Sequence, residues 1–262
     1  MAIPDLAIST FFIILSCCIA STARKLNRKF FQQGLVQDLI FEAIAAAELC
    51  GCCFELIIVA DNFGVATYAI YLFLLTIWWS YNWESATACP YTYMEQIAEG
   101  EVTVKDAALR IWAQLMGGCC IFRYVQFYWW LEIANTHEGR AFEDCSADLK
   151  VNLYLGAFIE GLATLMCRLA SKTIAEKDAK FASIMDSFIG TSLVVAAFNY
   201  SGGYFNPVLA TSLKWGCEGN SALEHIIVYW IGSCSGALLS VPLFKTQSFR
   251  KYFIDGSKQK DE

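Results

Sequence analysis

The sequence contains little charge, little proline and little histidine, and each shortage excludes a class of protein. Charged residues make up 17% of the 262 residues, whereas a soluble domain has roughly 25%. Four prolines argue against a disordered, proline-rich chain. The two histidines, His137 and His225, are isolated, and no pair of Cys-x-x-Cys motifs has zinc spacing, so we expect neither a metal site nor a cofactor. The acidic pI of 5.1 does not favour nucleic-acid binding.

The chain has twelve cysteines, and their positions are more informative than their number. The clusters at 17–18, 50–53 and 119–120 lie inside apolar segments, where cysteine behaves as a small hydrophobic residue. We therefore predict buried thiols in lipid-embedded helices and reject a disulfide scaffold.

Hydrophobic residues make up 56% of the chain and form runs long enough to cross a bilayer. The predicted spans are 4–23, 35–60, 65–83, 103–131, 151–170, 181–200 and 222–244. Segment 4–23 ends in basic residues rather than in a small-residue cleavage site, which favours a retained span over a signal peptide. Segment 35–60 contains several acidic residues and could instead be an interfacial amphipathic helix.

Basic residues near the segment ends predict how the chain is oriented in the membrane. They follow the first segment, the fifth and the last, at Arg24, Lys25, Arg28, Lys29, Arg168, Lys172, Lys177, Lys180, Lys245, Arg250, Lys251, Lys258 and Lys260. Seven spans with a lumenal N-terminus place all of these clusters in the cytosol, together with the C-terminus. If segment 35–60 did not span the membrane, the basic clusters would no longer all lie on one side, so the charges favour a spanning helix there.

Two short loops share one pattern, a small or amide-bearing residue followed by proline. The boxes Cys89-Pro90-Tyr91 and Asn206-Pro207-Val208 each follow an apolar segment, and proline is favoured in the first turn of a helix. The stretches that begin there, 90–99 and 207–216, are too short to span a membrane. We predict two half-helices that enter the membrane and return.

The boxes are part of an internal repeat. Asn206 follows Cys89 by 117 residues, and Glu160 follows Glu42 by 118 residues. Each copy has three spans, so the second copy must be inverted in the membrane, which is a transport architecture. The chain is thereby divided into a first span with a basic cytosolic linker (1–33), a first repeat (34–132), an acidic lumenal loop (133–148), a second repeat (149–245) and a cytosolic tail (246–262).

The inverted repeat, the buried glutamates and the paired boxes resemble the aquaporin family. Cys217, nine residues after Val208, is similar to the cysteine that marks the unorthodox or superaquaporin branch, the aquaporin-eleven and aquaporin-twelve type. The resemblance implies an all-α membrane protein with six spans and two re-entrant half-helices, to which segment 4–23 adds an N-terminal span. It also implies a homotetramer in the lipid bilayer, with a passive channel for water or small neutral solutes in each subunit.

The resemblance also implies roles for individual residues. The pore centre would be formed by the two boxes, 89–91 and 206–208. Glu42 and Glu160 would hold the re-entrant loops by accepting hydrogen bonds from backbone N–H groups.

The candidate selectivity filter consists of Leu209, Gly203 and Val194. Leu209 stands where water-specific aquaporins have an arginine. Leucine neither donates hydrogen bonds nor repels cations, so we expect an apolar constriction. Such a filter would pass water poorly, or would pass glycerol or hydrogen peroxide instead. A filter that dewets and conducts nothing is the alternative.

Other functions stay open at this point. Cys89 and Leu209 would also suit a non-conducting structural or regulatory protein on the same fold. A secondary transporter would need ion-binding carboxylates at the midplane, for which Glu42 and Glu160 are the candidates. No nucleophile–base pair, nucleotide-binding loop or metal set favours an enzyme.

The tail has two lysines, Lys258 and Lys260, close to the C-terminal residue. They resemble a dilysine retrieval signal for the endoplasmic reticulum, which would require the cytosolic tail predicted above. An ordinary solvated charged tail is the alternative.

Overall fold

The computed structural model describes residues 2–177 and 180–255, and within them the chain folds into helices with one isolated β-bridge. In chain order the helices are α1 (Ala2–Phe30), α2 (Leu35–Phe63), α3 (Val65–Asn82), α4 (Pro90–Glu99), α5 (Val104–Cys120), α6 (Phe122–Trp130), α7 (Leu153–Glu176), α8 (Ala182–Ala197), α9 (Pro207–Lys214), α10 (Ala222–Lys245) and α11 (Gln247–Arg250). The predicted all-α fold is confirmed. Lys258 and Lys260 lie outside the described residues.

By length and composition, four helices in this part of the chain can cross a membrane: α1, α2, α7 and α10. The other predicted spans correspond to α3, to α8, and to α5 followed by α6, which are shorter. Segment 103–131 is therefore not one continuous helix, because α5 ends at Cys120 and α6 begins at Phe122.

Each repeat contains a glycine that lets two helices approach to backbone contact. A Cβ atom on Gly117 of α5 would lie 2.0 Å from the carbonyl oxygen of Ala43 on α2. A Cβ atom on Gly236 of α10 would lie 2.0 Å from the carbonyl oxygen of Gly161 on α7. The two contacted residues directly follow the two buried glutamates, so both halves of the chain pack their first and last spans in the same way.

The N-terminal helix α1 packs along α2 and also contacts α3 and α6. Phe12 is fully buried, with ring centroids 5.4 Å from Tyr124 and 4.3 Å from Tyr128. Thr10 shares a hydroxyl hydrogen bond of 2.6 Å with Tyr71. The extra helix is thus a packed part of the bundle.

Helix α1 continues through most of the residues for which a basic linker was expected. Arg24 and Arg28 lie on its last turns. Arg24 donates to Glu48 at 2.6 Å, and both side chains are buried. Arg28 donates to Glu84 in the loop after α3. Arginine and lysine are good helix formers, and these acidic partners hold the helix end against the bundle.

A disulfide joins Cys145 to Cys217 and fastens residues 133–148 to the end of the second half-helix. The sequence analysis rejected a disulfide scaffold and missed this bond, because a separation of 72 residues carries no recognisable spacing signal. The chain turns at Gly216, where φ is +79°, to bring Cys217 to its partner. Helix α9 therefore ends at Lys214, before the predicted residue 216.

The same loop carries a buried histidine that the sequence left isolated. His137 Nε2 lies 2.8 Å from Glu55 Oε1, and both side chains are fully buried. Trp129 Nε1 donates to the other oxygen of Glu55 at 2.8 Å. Glu55 and Glu48 thus contact polar groups of neighbouring elements.

Candidate functional site

The two boxes are the starting points of the half-helices. Cys89 is the N-cap of α4 and Asn206 is the N-cap of α9, with a proline as the first helical residue in each case. Their φ/ψ values are −143°/124° and −143°/111°, so the two loops enter their helices with the same backbone geometry.

The side chains of the two caps behave differently. Asn206 Oδ1 accepts the N–H groups of Val208 at 3.0 Å and Leu209 at 3.3 Å, which caps its own helix. Asn206 Nδ2 donates to the carbonyl oxygen of Ala88 at 2.8 Å, which joins the second box to the first. Cys89 makes no side-chain cap. Asn206 therefore both caps the start of α9 and connects the two boxes.

Glu42 binds the first re-entrant loop. Its carboxylate accepts hydrogen bonds from the backbone N–H groups of Thr87 at 2.9 Å and Ala88 at 3.0 Å. Gln114 Nε2 donates to it at 2.7 Å, and the Tyr93 hydroxyl donates as well. These groups come from three elements, so one buried carboxylate ties α2 to the loop, to α4 and to α5.

Glu160 binds the second re-entrant loop in the same manner. Its carboxylate accepts hydrogen bonds from the backbone N–H groups of Tyr204 at 3.2 Å and Phe205 at 2.7 Å. The Ser201 hydroxyl donates to it at 2.6 Å. The Tyr229 hydroxyl of α10 donates to the carbonyl oxygen of Ser201 at 2.8 Å, which extends the network to the last span.

A cavity of about 330 Å³ passes between the two boxes, and we call it the pore cavity. Both cap residues line it, and so do Tyr91 and the three filter candidates. On α3 its lining residues run from Tyr68 to Trp79, which corresponds to about 16 Å of helix. Asp61 and Asp148 lie at what we call its outer end, and Tyr91 and Trp79 lie at its inner end.

The structure places the other predicted residues away from the cavity wall. Pro90, Pro207 and Val208 are buried in the first turns of the half-helices. Val208 packs against the main core cluster. Cys217 forms the disulfide and has no place in the wall that the described residues form.

The outer half of the pore cavity is largely apolar. A Cβ atom on Gly203 would lie 2.6 Å from the carbonyl oxygen of Val194, so the loop and α8 touch beside the cavity. Leu209 of α9 also lines this part of the cavity. The rings of Tyr68 and Phe198, which the sequence analysis missed, lie 5.1 Å apart at this level. Aromatic residues are frequent in these spans, so no local pattern distinguishes this pair from its neighbours.

Charged groups surround the outer end. Asp148 accepts a hydrogen bond from the Tyr204 hydroxyl at 2.5 Å and pairs with Lys214 at 3.2 Å. Asp61 pairs with Arg140 of the disulfide-bonded loop. Lys150 also lines this end. The apolar constriction therefore opens into a mixed-charge vestibule.

The inner end is held by a buried ion pair that sequence reasoning also missed. Arg168 of α7 binds Glu95 of α4 through Nε and Nη2, both at 2.8 Å. Lys172 adds a contact to Glu95 at 3.3 Å. The Arg168 guanidinium lies 5.5 Å from the ring centroid of Tyr91, which lines the cavity. This pair fixes the first half-helix against the second repeat.

Comparison with known proteins gives matches over most of the chain. Aquaporin-11 of Milnesium tardigradum is 26% identical over 94% of this chain and 89% of the relative. Aquaporin-12 of Mus musculus is 25% identical over 91% of this chain and 85% of the relative. Aquaporin-11 of Homo sapiens is 24% identical over 85% of this chain and 83% of the relative. No family model matches the chain.

Among solved structures, the X-ray structure of the aquaglyceroporin from Plasmodium falciparum is similar, with a TM-score of 0.62 at 13% identity. The match covers 82% of this chain and 97% of that one. The predicted resemblance to the unorthodox aquaporins and the predicted aquaporin-like fold are both confirmed.

Proposed function

We propose that this chain, which resembles the unorthodox aquaporins in sequence and has the aquaporin fold, is a passive transmembrane channel for water or small neutral solutes. The observation that carries the proposal is the pore cavity between two half-helix starts, lined by Cys89 and Asn206. Glycerol and hydrogen peroxide are the solutes we favour besides water.

The half-helices supply the electrostatics of such a channel. A helix N-terminus carries roughly half a positive charge and free N–H groups. Two of them beside one cavity oppose cations and bind the oxygens of neutral solutes. The amide of Asn206 has two hydrogens, of which one is donated to Ala88, so the other is available to a passing oxygen.

The apolar outer half supports a channel with weak water specificity. Leu209, Val194 and the ring pair of Tyr68 and Phe198 offer few hydrogen bonds to replace those that water or an ion loses on entry. A solute with its own carbon skeleton loses less hydrogen-bonding free energy than water or an ion when it enters this apolar half.

We further propose the setting of the channel. Seven spans with a lumenal N-terminus and a cytosolic C-terminus place the disulfide in an oxidising compartment, where such bonds persist. The inner end of the cavity then faces the cytosol. Residence in the endoplasmic reticulum or another intracellular membrane and assembly as a homotetramer follow from the resemblance.

The test is flux through vesicles that contain the purified protein. Stopped-flow measurement of water and glycerol and a dye assay for peroxide should give rates above those of empty vesicles. Asn206→Asp should abolish this flux, because a carboxylate cannot donate to Ala88 and adds negative charge to the centre. The matched control is Asn62→Asp, which makes the same chemical change at an exposed asparagine that takes no part in the described cavity wall.

Two competing functions give different results. A folded wild-type protein with the flux of empty vesicles would favour the non-conducting structural or regulatory protein, which the uncapped Cys89 box also suits. A secondary transporter would show flux coupled to a proton or sodium gradient. The carboxylates of Glu42 and Glu160 are already occupied by loop N–H groups, which speaks against ion binding there.

A further inference from the structure

The additional helix α1 carries two arginines one turn apart near its C-terminal end, and each binds a carboxylate close to the same tryptophan. Arg24 donates to Glu48 of α2 at 2.6 Å, and both side chains are buried. Arg28 donates to Glu84, the residue directly after Trp83. Helix α1 therefore contacts the surroundings of Trp83 at two points.

Glu48 also accepts a hydrogen bond from the indole N–H group of Trp83. The distance is 3.1 Å, and the acceptor is Oε2, the same oxygen that binds Arg24. Trp78 donates to the other oxygen at 3.1 Å. A hydrogen bond to an ionised acceptor is stronger than one between neutral groups. The buried carboxylate thus fixes the ring of Trp83, and Arg24 is the cation that balances its charge.

Trp83 lies at the inner end of the pore cavity, about one helical turn beyond Trp79, and both residues line the wall. Their rings are stacked, with centroids 5.2 Å apart. Glu48 takes no part in the described cavity wall and lines a separate groove beside α1 and α2. The N–H edge of the Trp83 ring is therefore turned away from the cavity, towards α1.

The turn that follows Trp83 is also fastened to α1. Glu84 has a left-handed backbone conformation with φ of +56°, which is uncommon outside glycine. Its side chain binds Arg28, and the Ala86 N–H donates to the carbonyl oxygen of Trp83 at 3.0 Å, which closes the turn. A change in the contacts of α1 would therefore reach Trp83 through its side chain and through its backbone.

We propose that α1 keeps the inner end of the pore cavity open by holding the ring of Trp83 against the wall. Arg24 acts through Glu48, and Arg28 acts through Glu84. Both arginines are positioning residues, since neither takes part in the described cavity wall. An indole that loses its carboxylate is free to turn into the cavity and narrow the path of a solute. This inference rests on the proposed channel function and gives the additional helix a part in it.

Removal of Arg24 should release the ring. Arg24→Gln leaves the carboxylate of Glu48 buried without its cation, which is strongly unfavourable. The carboxylate should then turn towards water and give up the indole N–H of Trp83. The loss of one net hydrogen bond shifts the population of the open position about fivefold, so the water permeability per folded protein should fall about fivefold. Arg28→Gln should have a smaller effect of the same sign, because its ion pair is exposed to water.

A flux test with two backgrounds separates this role from a general loss of structure. Trp83→Ala has no ring to move, so Arg24→Gln should lower the water permeability in the wild-type background and leave it unchanged in Trp83→Ala. The matched control is Tyr71→Phe, which removes the hydrogen bond of 2.6 Å between α3 and Thr10 of α1 at a residue outside the described cavity wall. This control should leave the permeability unchanged in both backgrounds.

Three results of the flux test would overturn the proposal and leave the channel function standing. The first is an equal loss from Arg24→Gln in both backgrounds, and the second is no loss in either. The third is a loss in Tyr71→Phe as large as that in Arg24→Gln, which would show that any loosening of α1 suffices.

A ¹⁹F measurement tests the position of the ring without any flux. In the full chain labelled with 5-fluorotryptophan, the signal that disappears in Trp83→Phe is that of Trp83. Arg24→Gln should shift this signal, Arg24→Lys should bring it back towards the wild-type position, and Tyr71→Phe should leave it unchanged. A Trp83 signal that does not respond to Arg24→Gln overturns the proposal even in a conducting protein. A shift in a protein without flux supports the hold of α1 on Trp83 and refutes the channel.

Discussion

Ala88 and Phe205 have the same left-handed backbone conformation, with φ of +51° and +47°, at equivalent places in the two repeats. Each directly precedes the cap residue of a half-helix, and each donates its N–H to a buried glutamate, Glu42 or Glu160. A positive φ is uncommon outside glycine and costs free energy. The two carboxylates therefore stabilise a strained turn that points each half-helix at the pore cavity.

Neutralising either glutamate should release its loop. In Glu42→Gln and Glu160→Gln an amide NH₂ would face backbone N–H donors, so we expect each variant to lose about 3 kcal/mol of unfolding free energy. Solute flux should fall to the level of empty vesicles. Thermal unfolding and stopped-flow flux are the measurements. Glu101→Gln, at an exposed residue after α4, is the control, and an equal effect there would contradict the assignment.

Cys145 and Cys217 should contribute to stability as one unit, through the disulfide that joins them. Cys145→Ser and Cys217→Ser each break the same bond, so the double variant should be no less stable than either single one. The loss should be about 2–4 kcal/mol, the usual range for a disulfide. Unfolding of the wild type with and without reductant is the measurement. Additive losses in the double variant would show that the two cysteines act separately.

The buried ion pair at the inner end should show strong coupling. Arg168→Gln leaves the carboxylate of Glu95 buried, with its side chain 3% exposed, and should cost about 3 kcal/mol. The double variant with Glu95→Gln should cost less than the sum of the single losses, because no buried carboxylate is then left with Lys172 as its remaining cation.

The control for Arg168→Gln is an ion pair on the surface. Arg28→Gln breaks a contact with Glu84 in which the side chains are 49% and 34% exposed, and it should change stability by less than about 1 kcal/mol. Similar losses for Arg28→Gln and Arg168→Gln would mean that burial of Glu95 does not govern the effect.

The ring pair at the outer half should limit solute size. Phe198→Ala removes one of the two rings that lie 5.1 Å apart, so glycerol flux should rise more than water flux. The control is Phe188→Ala on α8, the helix that Phe198 directly follows; the Phe188 ring contacts Phe73 but takes no part in the described cavity wall. Unchanged glycerol flux in Phe198→Ala would place the constriction elsewhere.

The all-α fold could be predicted because its signals are residue types and their separations in the sequence. Proline after Cys89 and after Asn206 indicates a helix start. The repeat is revealed because Glu42 and Glu160 are separated by 118 residues, almost the same as the 117 residues between the two boxes. Both signals can be recognised in a single sequence, since each depends on residue type and separation alone.

The remaining features depend on contacts between distant segments. Cys145 and Cys217 are 72 residues apart, and the hydrogen bond of Arg168 to Glu95 joins residues that are 73 apart and lie in different repeats. In the sequence, nothing distinguishes Tyr68 from the many other aromatic residues; its pairing with Phe198 depends on the packing of α3 against α8. Such pairings follow from the packed bundle, so no pattern within one segment could have identified them.

The packing of α1 has a consequence for how the protein is made. Phe12 rests on Tyr124 and Tyr128, and Asp5 accepts a hydrogen bond from Asn135. Tyr124 and Tyr128 follow Phe12 by 112 and 116 residues, and Asn135 follows Asp5 by 130 residues, so these partners are synthesised long after α1. Until then α1 can be held only by segments made earlier, for instance by α2 through the ion pair of Arg24 with Glu48 and by α3 through the hydrogen bond of Thr10 with Tyr71. Biogenesis therefore requires α1 to stay packed on α2 and α3 while the rest of the first repeat is inserted.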